Sequence, residues 1–306
     1  MRVAVIGGTG FVGSYIVEAL LDGGHDCSLL VRPGSESKAV GGDRARTVSG
    51  ALEDAAAVRE TLDGADAAIY LVGILREDRR HGVTYKATQY DGVVRTADAA
   101  RDLGIQRFLL MSANGVDAEL TEYQRTKYAA ERHVLQSGLA ATVFRPSIVF
   151  GDPRGRMEFA TQLYRDIVSV PLPAIGFHSG WRPSTGQVLM GPVHVRDVAR
   201  AFVVALGDST SEGQTYELCG PEVLSWTEMI RRIAATVGRN KIVVPMPISL
   251  MRIPATLLDW LPAFPVTRDQ LTMLEQNNVC SANRLGELVT TEPRAFDESS
   301  LAYLRS

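Results

Sequence analysis

Little in this 306-residue chain suits thiol, imidazole or ammonium clusters. It has three cysteines (Cys27, Cys219, Cys280), five histidines and four lysines (Lys38, Lys86, Lys127, Lys241). The cysteines are scattered and odd in number. No metal spacing and no disulfide framework is expected of them, which fits a reducing cytoplasm. The histidines are as dispersed, so no metal site is expected. The formal charge of −3 provides no basic field for nucleic acid. No uninterrupted apolar run is long enough to span a bilayer. With a first strand that begins at residue 2 or 3, no signal peptide is expected. What remains is a globular chain, 45% hydrophobic, long enough for one large α/β domain or a domain with a smaller lobe.

Glycine is where the information concentrates. Val3, Ala4, Val5 and Ile6 run straight into Gly7, Gly8, Gly10 and Gly13, and an apolar-periodic segment, SYIVEALLDGG, follows. Strand, glycine turn and helix in that order form a dinucleotide-binding arrangement. Gly7 and Gly8 are expected to supply the tight turn and positive φ. Gly10 lets backbone approach a pyrophosphate, and Gly13 lets the helix pack closely. Thr9, Phe11 and Val12 complete the turn and open the helix, whose first N–H groups and positive dipole end face the phosphates.

The first half alternates strand and helix. Strands are expected at 27–32, 44–50, 67–73, 107–113 and 141–151. Helices are expected at 54–62, 84–103 and 121–138. This succession predicts an α/β fold with a doubly wound parallel sheet over residues 1–151. After Gly151 prolines cluster at 171, 173, 183 and 192. Residues 152–306 are therefore expected to return to the sheet in places and to form a smaller C-terminal α+β lobe. Asp197 reads as the cap of a helix through 206, with His194 at a strand end. Ser225 and Glu228 read as a capping box.

The second strand ends in Arg32, where an NAD site usually places a carboxylate for the ribose 2′-OH. A guanidinium there suits a 2′-phosphate, with Lys38, Arg44 and Arg46 adding to the field. NADP(H) is favoured over NAD(H). Tyr123 and Lys127 stand four apart, on one face of a helix after the fifth strand. An ammonium near the phenol is expected to lower its pKa, which suits a general acid or base in hydride transfer.

GGTGFVG, LVR, YLVG and YQRTK resemble the short-chain dehydrogenase/reductase superfamily in its extended and atypical branches. FRPSIVFGD, PVHVRDVARAFVVAL, YELCGPEVLSWTEMI and PVTRDQLTMLEQNNV resemble the group around the nucleotide-binding accessory subunit of respiratory complex I and its bacterial relatives. The resemblance spans nearly the whole chain. It implies a Rossmann domain, bound NADP(H) or NAD(H), Tyr123 as acid/base and Lys127 on the nicotinamide ribose. Val72 and Gly73 match the segment under the adenine ribose, and Pro146 to Ile148 the one behind the nicotinamide. Two departures stand out. Asn114 occupies the place of the usual catalytic hydroxyl, with Ser112 at the strand end; an amide can donate a hydrogen bond but not relay a proton. Ala51 replaces an Asp that contacts adenine, which leaves Leu52 and backbone groups there.

The segment 245–266, PMPISLMRIPATLLDWLPAFPV, carries only two charges and five prolines. It reads as a lid or core of the small lobe, or as a docking surface for protein or a membrane. Three functions follow: an NADP(H)-dependent oxidoreductase of an unidentified, apolar carbonyl or alcohol; a non-catalytic nucleotide-binding accessory or assembly protein of a membrane complex; and, less well matched, a sugar-nucleotide epimerase or dehydratase. A cytoplasmic place, peripheral at the inner membrane in the second case, is expected.

Overall fold

The structure, a computed structural model, describes residues 1–180, 186–251 and 268–305. The first half forms β1 (Arg2–Ile6), α1 (Phe11–Asp22), β2 (Asp26–Val31), β3 (Ala45–Ser49), α2 (Ala55–Leu62), β4 (Ala67–Tyr70), α3 (Gly92–Asp102), β5 (Arg107–Met111), α4 (Glu122–Gln136) and β6 (Ala140–Pro146). Then come β7 (Val149–Phe150), α5 (Phe159–Leu163), β8 (Ala174–His178), β9 (Leu189–Met190), β10 (Val193–His194), α6 (Val195–Gly207), β11 (Thr215–Leu218), β12 (Leu224–Ser225), α7 (Trp226–Thr236) and β13 (Val243–Pro247). The last two helices are α8 (Arg268–Glu275) and α9 (Leu285–Leu288).

Two compact units result. The first takes Met1–Pro146, Val195–Leu218 and Asn283–Thr291; the second takes Ser147–His194, Cys219–Ala282 and Glu292–Ser306. The first unit is a seven-stranded parallel sheet in the order β11-β6-β5-β4-β1-β2-β3. Strand order reverses beside β1, so the loops after β1 and β4 diverge at the switch point where such sheets bind ligands. β1 and β4 are buried on both faces, as continuous apolar runs require.

Four expectations change. The run 141–151 is not one strand: β6 ends at Pro146, and β7 pairs with β10 in the second unit. Proline has no N–H for the ladder, which fits a break there. The helix before β5 starts as a π-turn over Lys86–Asp91. The Tyr70 hydroxyl donates to the Thr88 carbonyl, the acceptor that the Gly92 N–H would use in an α-helix. A Cβ at Gly92 would run into that hydroxyl. Asp197 is no cap, because α6 begins at Val195 and buries Asp197 in its first turn. Ser225 does cap α7, accepting from the Glu228 N–H at 3.1 Å, but the Glu228 carboxylate turns to Arg232 at 3.2 Å instead of closing the box.

Among the described residues the second unit has two-stranded sheets, β10-β7, β12-β9 and β13-β8. Its core is rich in large side chains, among them Phe150, Phe177, Trp226, Met229, Ile230 and Phe296. A disulfide joins Cys219 to Cys280, and Cys27 is free and buried. This corrects the expectation of unpaired thiols, and cysteine usage no longer argues for a reducing compartment. The partners stand 61 residues apart, so nothing in their local spacing announces the pair. Of the segment 245–266, residues 252–266 lie outside the described residues. Before them, Ile248 is fully buried while Leu250 is exposed.

Candidate functional site

The glycine turn is built by sterics. Gly7 has φ +96°, a conformation that L side chains rarely adopt. A Cβ there would also lie 3.0 Å from Val72 Cγ2, in the loop after β4. Gly8 does not have positive φ, contrary to expectation. Its lack of a side chain serves packing, since a Cβ would meet Leu29 and Val17 at 3.1 and 3.2 Å. At Gly13 the clash is with backbone: a Cβ would strike the Gly7 carbonyl oxygen and approach Gly8 Cα at 2.9 Å. Helix α1 is thereby held against the turn. Gly10 caps α1 without a side-chain hydrogen bond, and the first turn carries no acidic residue. Its first N–H groups are thus left to an anion. Phe11 and Tyr15 meet edge-to-face one turn apart.

Register fixes what lies beside the turn. Ile6 pairs with Leu30 at the end of the β1–β2 ladder, and the exposed Arg32 follows two residues later, at the same end of the sheet as the glycine turn. Two of the other expected cations, Arg44 and Arg46, are elsewhere. Parallel pairing sets Ala45 against Cys27 and Arg46 against Ser28, at the opposite end of β2. Arg44 donates to the Leu21 and His25 carbonyls at 2.7 and 2.6 Å and pairs with Asp26. Arg46 pairs with Glu60 at 2.8 Å. Neither adds to a field at Arg32. Leu52 packs against the core, and its carbonyl accepts from Arg95 at 2.7 Å.

A second group of residues gathers where β4, β5 and β6 end. The Ser112 N–H donates to the Phe144 carbonyl at 2.7 Å, and the Asn114 N–H to the Pro146 carbonyl at 3.0 Å. These bonds carry the chain after β5 alongside the end of β6. Helix α4 starts on a full capping box: Thr121 Oγ1 accepts from the Gln124 N–H at 3.2 Å, and Gln124 Oε1 accepts from the Thr121 N–H at 3.1 Å. The Gln124 amide also donates to the Gly115 carbonyl at 2.9 Å, which ties the loop carrying Asn114 to the helix. Tyr123, Lys127, Ala130, Glu131 and Val134 are among its buried residues.

Lys127 lies in a narrow recess with Val72, Gln89, Met111 and Ser112. Its Nζ donates to the Met111 carbonyl at 3.3 Å, and a Cβ at Gly73 would touch Nζ at 3.4 Å. Burial pulls the Lys127 pKa down to about 8, partly opposed by Glu131. The Ser112 hydroxyl is buried without a hydrogen-bond partner. Tyr123 is buried, its ring edge-on to Tyr85 at 5.7 Å. Burial raises its phenol pKa, and Tyr85 adds to the rise. The expected lowering by Lys127 is not found: the ammonium sits over the Tyr123 ring, 5.8 Å from its centroid.

The structure thus brings Val72, Gly73, Ser112, Asn114, Pro146, Tyr123 and Lys127 to one edge of the first unit. Ile148 belongs to the second. Sequence reasoning missed Gln89 and Tyr85. Gln89 is buried and donates to the Ile74 carbonyl at 2.7 Å. Tyr85 donates to the Leu75 carbonyl at 3.0 Å. Both lie at the π-turn, a signal that depends on the distant Tyr70 hydroxyl.

These residues fit a dinucleotide. The turn is a cradle that a Cβ would fill, the helix end is open, and the Ser112 hydroxyl and Lys127 ammonium want partners. The family described as NAD(P)H-binding matches residues 7–166, just over half of the chain. The chain belongs to that family and carries an NAD(P)-binding domain. It is 27% identical over 292 residues to the mitochondrial NADH dehydrogenase [ubiquinone] 1 alpha subcomplex subunit 9 of Arabidopsis thaliana, covering 92% of this chain and 70% of that one. It is 30% identical over 242 residues to (4-alkanoyl-5-oxo-2,5-dihydrofuran-3-yl)methyl phosphate reductase of Streptomyces griseus, covering 78% of this chain and 74% of the relative. The crystal structure of gox2253 superposes with a TM-score of 0.77 at 24% identity, over 99% of this chain and 96% of that one. The relatives thus include a reductase and an NADH dehydrogenase subunit.

Proposed function

We propose that the chain is an NADP(H)-dependent oxidoreductase that reduces a carbonyl, or oxidises the corresponding alcohol, of an apolar small molecule. The observation that carries this reading is the placement of Tyr123 and Lys127 on the buried face of α4, beside the orphaned Ser112 hydroxyl. Gly7, Thr9, Gly10, Phe11, Val12 and Gly13 would hold the pyrophosphate. Leu52, Val72 and Gly73 would line the adenosine side, and Lys127 would donate to the nicotinamide ribose, with Pro146 behind the ring. Arg32 would take the 2′-phosphate, because it follows β2 at the same end of the sheet as the glycine turn and makes no ion pair among the described residues.

When bound, a reduced nicotinamide supplies a hydride to the carbonyl carbon. The chain's own residues manage the proton. Tyr123, held protonated by burial, donates to the substrate oxygen as negative charge develops there. Lys127 would supply positive charge nearby, and the Asn114 amide would orient the oxygen without relaying a proton. The test is a screen of apolar ketones and aldehydes with NADPH, run with the unmodified chain and with Tyr123→Phe. A fall in kcat of about 10²-fold or more in the variant, with NADPH affinity kept, supports the assignment. Turnover indifferent to the substitution would refute it.

A second reading has its own observation. Ile242, Val244 and Leu250 are exposed on and around β13, close in sequence to Arg239 and Lys241. Apolar side chains flanked by cations suit a peripheral contact with a membrane or a respiratory-complex partner. On that reading the nucleotide is structural and Asn114 marks lost chemistry. Co-sedimentation with anionic vesicles, abolished by Ile242→Asp with Val244→Asp, would favour it.

A further inference from the structure

Helix α4 carries a second buried charge in unusual company. Glu131 follows Lys127 by four positions, so the two side chains share a helix face at a spacing where lysine and glutamate pair readily. Both are buried, and burial strengthens such attraction. The pair is nevertheless not made. Arg145 on β6 takes both Glu131 oxygens, with Nε to Oε1 at 3.0 Å and Nη2 to Oε2 at 2.7 Å. Its Nη1 reaches Asp117 at 2.9 Å, in the turn after Asn114. A planar guanidinium fork suits this double engagement; an ammonium does not. Lys127 turns instead to the Met111 carbonyl.

We propose that Arg145 is a positioning residue for Lys127: by occupying both oxygens of Glu131 it withholds the partner that the i,i+4 spacing offers, and leaves the ammonium facing the recess for a ligand. This deepens the cofactor reading above and rests on it. The elements around Lys127 agree. On α4 itself the titratable neighbours are Tyr123 and Glu131. The chain before α3 contributes Tyr85, beyond the Tyr123 ring. The ends of β4 and β5 contribute Val72, Gly73, Met111 and Ser112, none of them charged. Beyond them lie Arg145, its second anion Asp117, and Tyr128, whose ring centroid is 5.8 Å from the guanidinium. Glu131 is thus the carboxylate positioned to capture Lys127, and Arg145 holds it. The same fork joins β6, α4 and the loop of Asn114, so three parts of the site share one guanidinium.

Four lysines make the test direct. The ε-carbon of Lys127 is followed by NMR against pH in lysine-labelled protein, assigned with Lys127→Met. The unmodified chain should titrate near 8. Arg145→Met should raise that midpoint by about one unit or more, toward that of an ion-paired lysine. Adding Glu131→Gln should return it. Asp117→Asn, which also costs Arg145 a partner, should leave it in place. An unmoved midpoint in Arg145→Met, or no return in the double variant, overturns the proposal and leaves Arg145 a purely structural brace. If Arg145→Met does not fold, Arg145→Gln and its Glu131→Gln double variant give the same comparison. A parallel NADPH titration separates the two claims. Weaker binding in Arg145→Met, about tenfold, recovered in the double variant, supports both. A shifted midpoint with no NADPH binding in any form supports the positioning role and sinks the cofactor reading.

Discussion

The two units of this chain are held together by different means. The first has one continuous seven-stranded sheet whose central strands are buried on both faces, and its residues Tyr123, Lys127, Ser112 and Asn114 are collected at one edge. The second has, among its described residues, three two-stranded sheets, an aromatic-rich core and a disulfide. Two-stranded pieces are marginal alone, so the second unit depends on side-chain packing and on its cross-link. A parallel sheet is stable enough to carry an orphaned hydroxyl and a buried ammonium at its rim. The difference teaches where to look for each property: ligand binding in the first unit, sensitivity to reductant in the second.

The sharpest way to break that comparison is at Gly13. Gly13→Val forces a side chain into the Gly7 carbonyl and Gly8 Cα, so the turn must deform. Nicotinamide binding should fall by about 100-fold or more by fluorescence titration, since any Cβ there displaces the cradle itself. Next comes the disulfide. Cys219→Ser with Cys280→Ser opens a loop of 61 residues and should cost about 2–4 kcal/mol in denaturant unfolding. NADPH affinity should not change, because the glycine turn and Lys127 lie in the other unit. Equal affinity with lowered stability keeps the division of labour; a parallel loss of both dissolves it.

A third, smaller effect is a pH limb. Lys127 is pulled down to about 8 by burial. If the protonated form donates to the ribose, affinity is constant below that value and falls as pH rises through it, by about tenfold. Lys127→Met should bind more weakly at neutral pH and lose the limb. For folding the sign is opposite. A depressed lysine pKa means that the unfolded chain holds its proton longer, so stability rises between about 8 and the ordinary value of 10.5. The smallest effect belongs to Arg32. Arg32→Ala should weaken NADPH by about tenfold while leaving NADH nearly unchanged, as loss of one charge-assisted contact implies.

Much of the first unit was legible because its signals are local. A strand, four glycines and a helix sit within about twenty residues, and the buried stripe of α4 repeats at helical spacing. What escaped depends on partners far along the chain. Arg44 and Arg46 looked like neighbours of Arg32 until the parallel register of β2 and β3 sent them to the other end of the sheet. The Tyr70 hydroxyl turns the start of the next helix into a π-turn from 18 residues away. Cys219 finds Cys280 across a loop that holds α7, β13 and α8. Tyr123 was expected to ionise more easily beside a lysine, but burial dominates and raises its pKa. Burial therefore keeps the Tyr123 phenol protonated.

The most direct test of the central claim, that the first unit binds a nicotinamide dinucleotide through the glycine turn and Arg32, is a pair of fluorescence titrations with NADPH and NADH at neutral pH. The expected result is saturable one-site binding of both, with NADPH tighter by about tenfold. Binding of neither cofactor would contradict the claim outright, and equal affinity for the two would remove Arg32 from it.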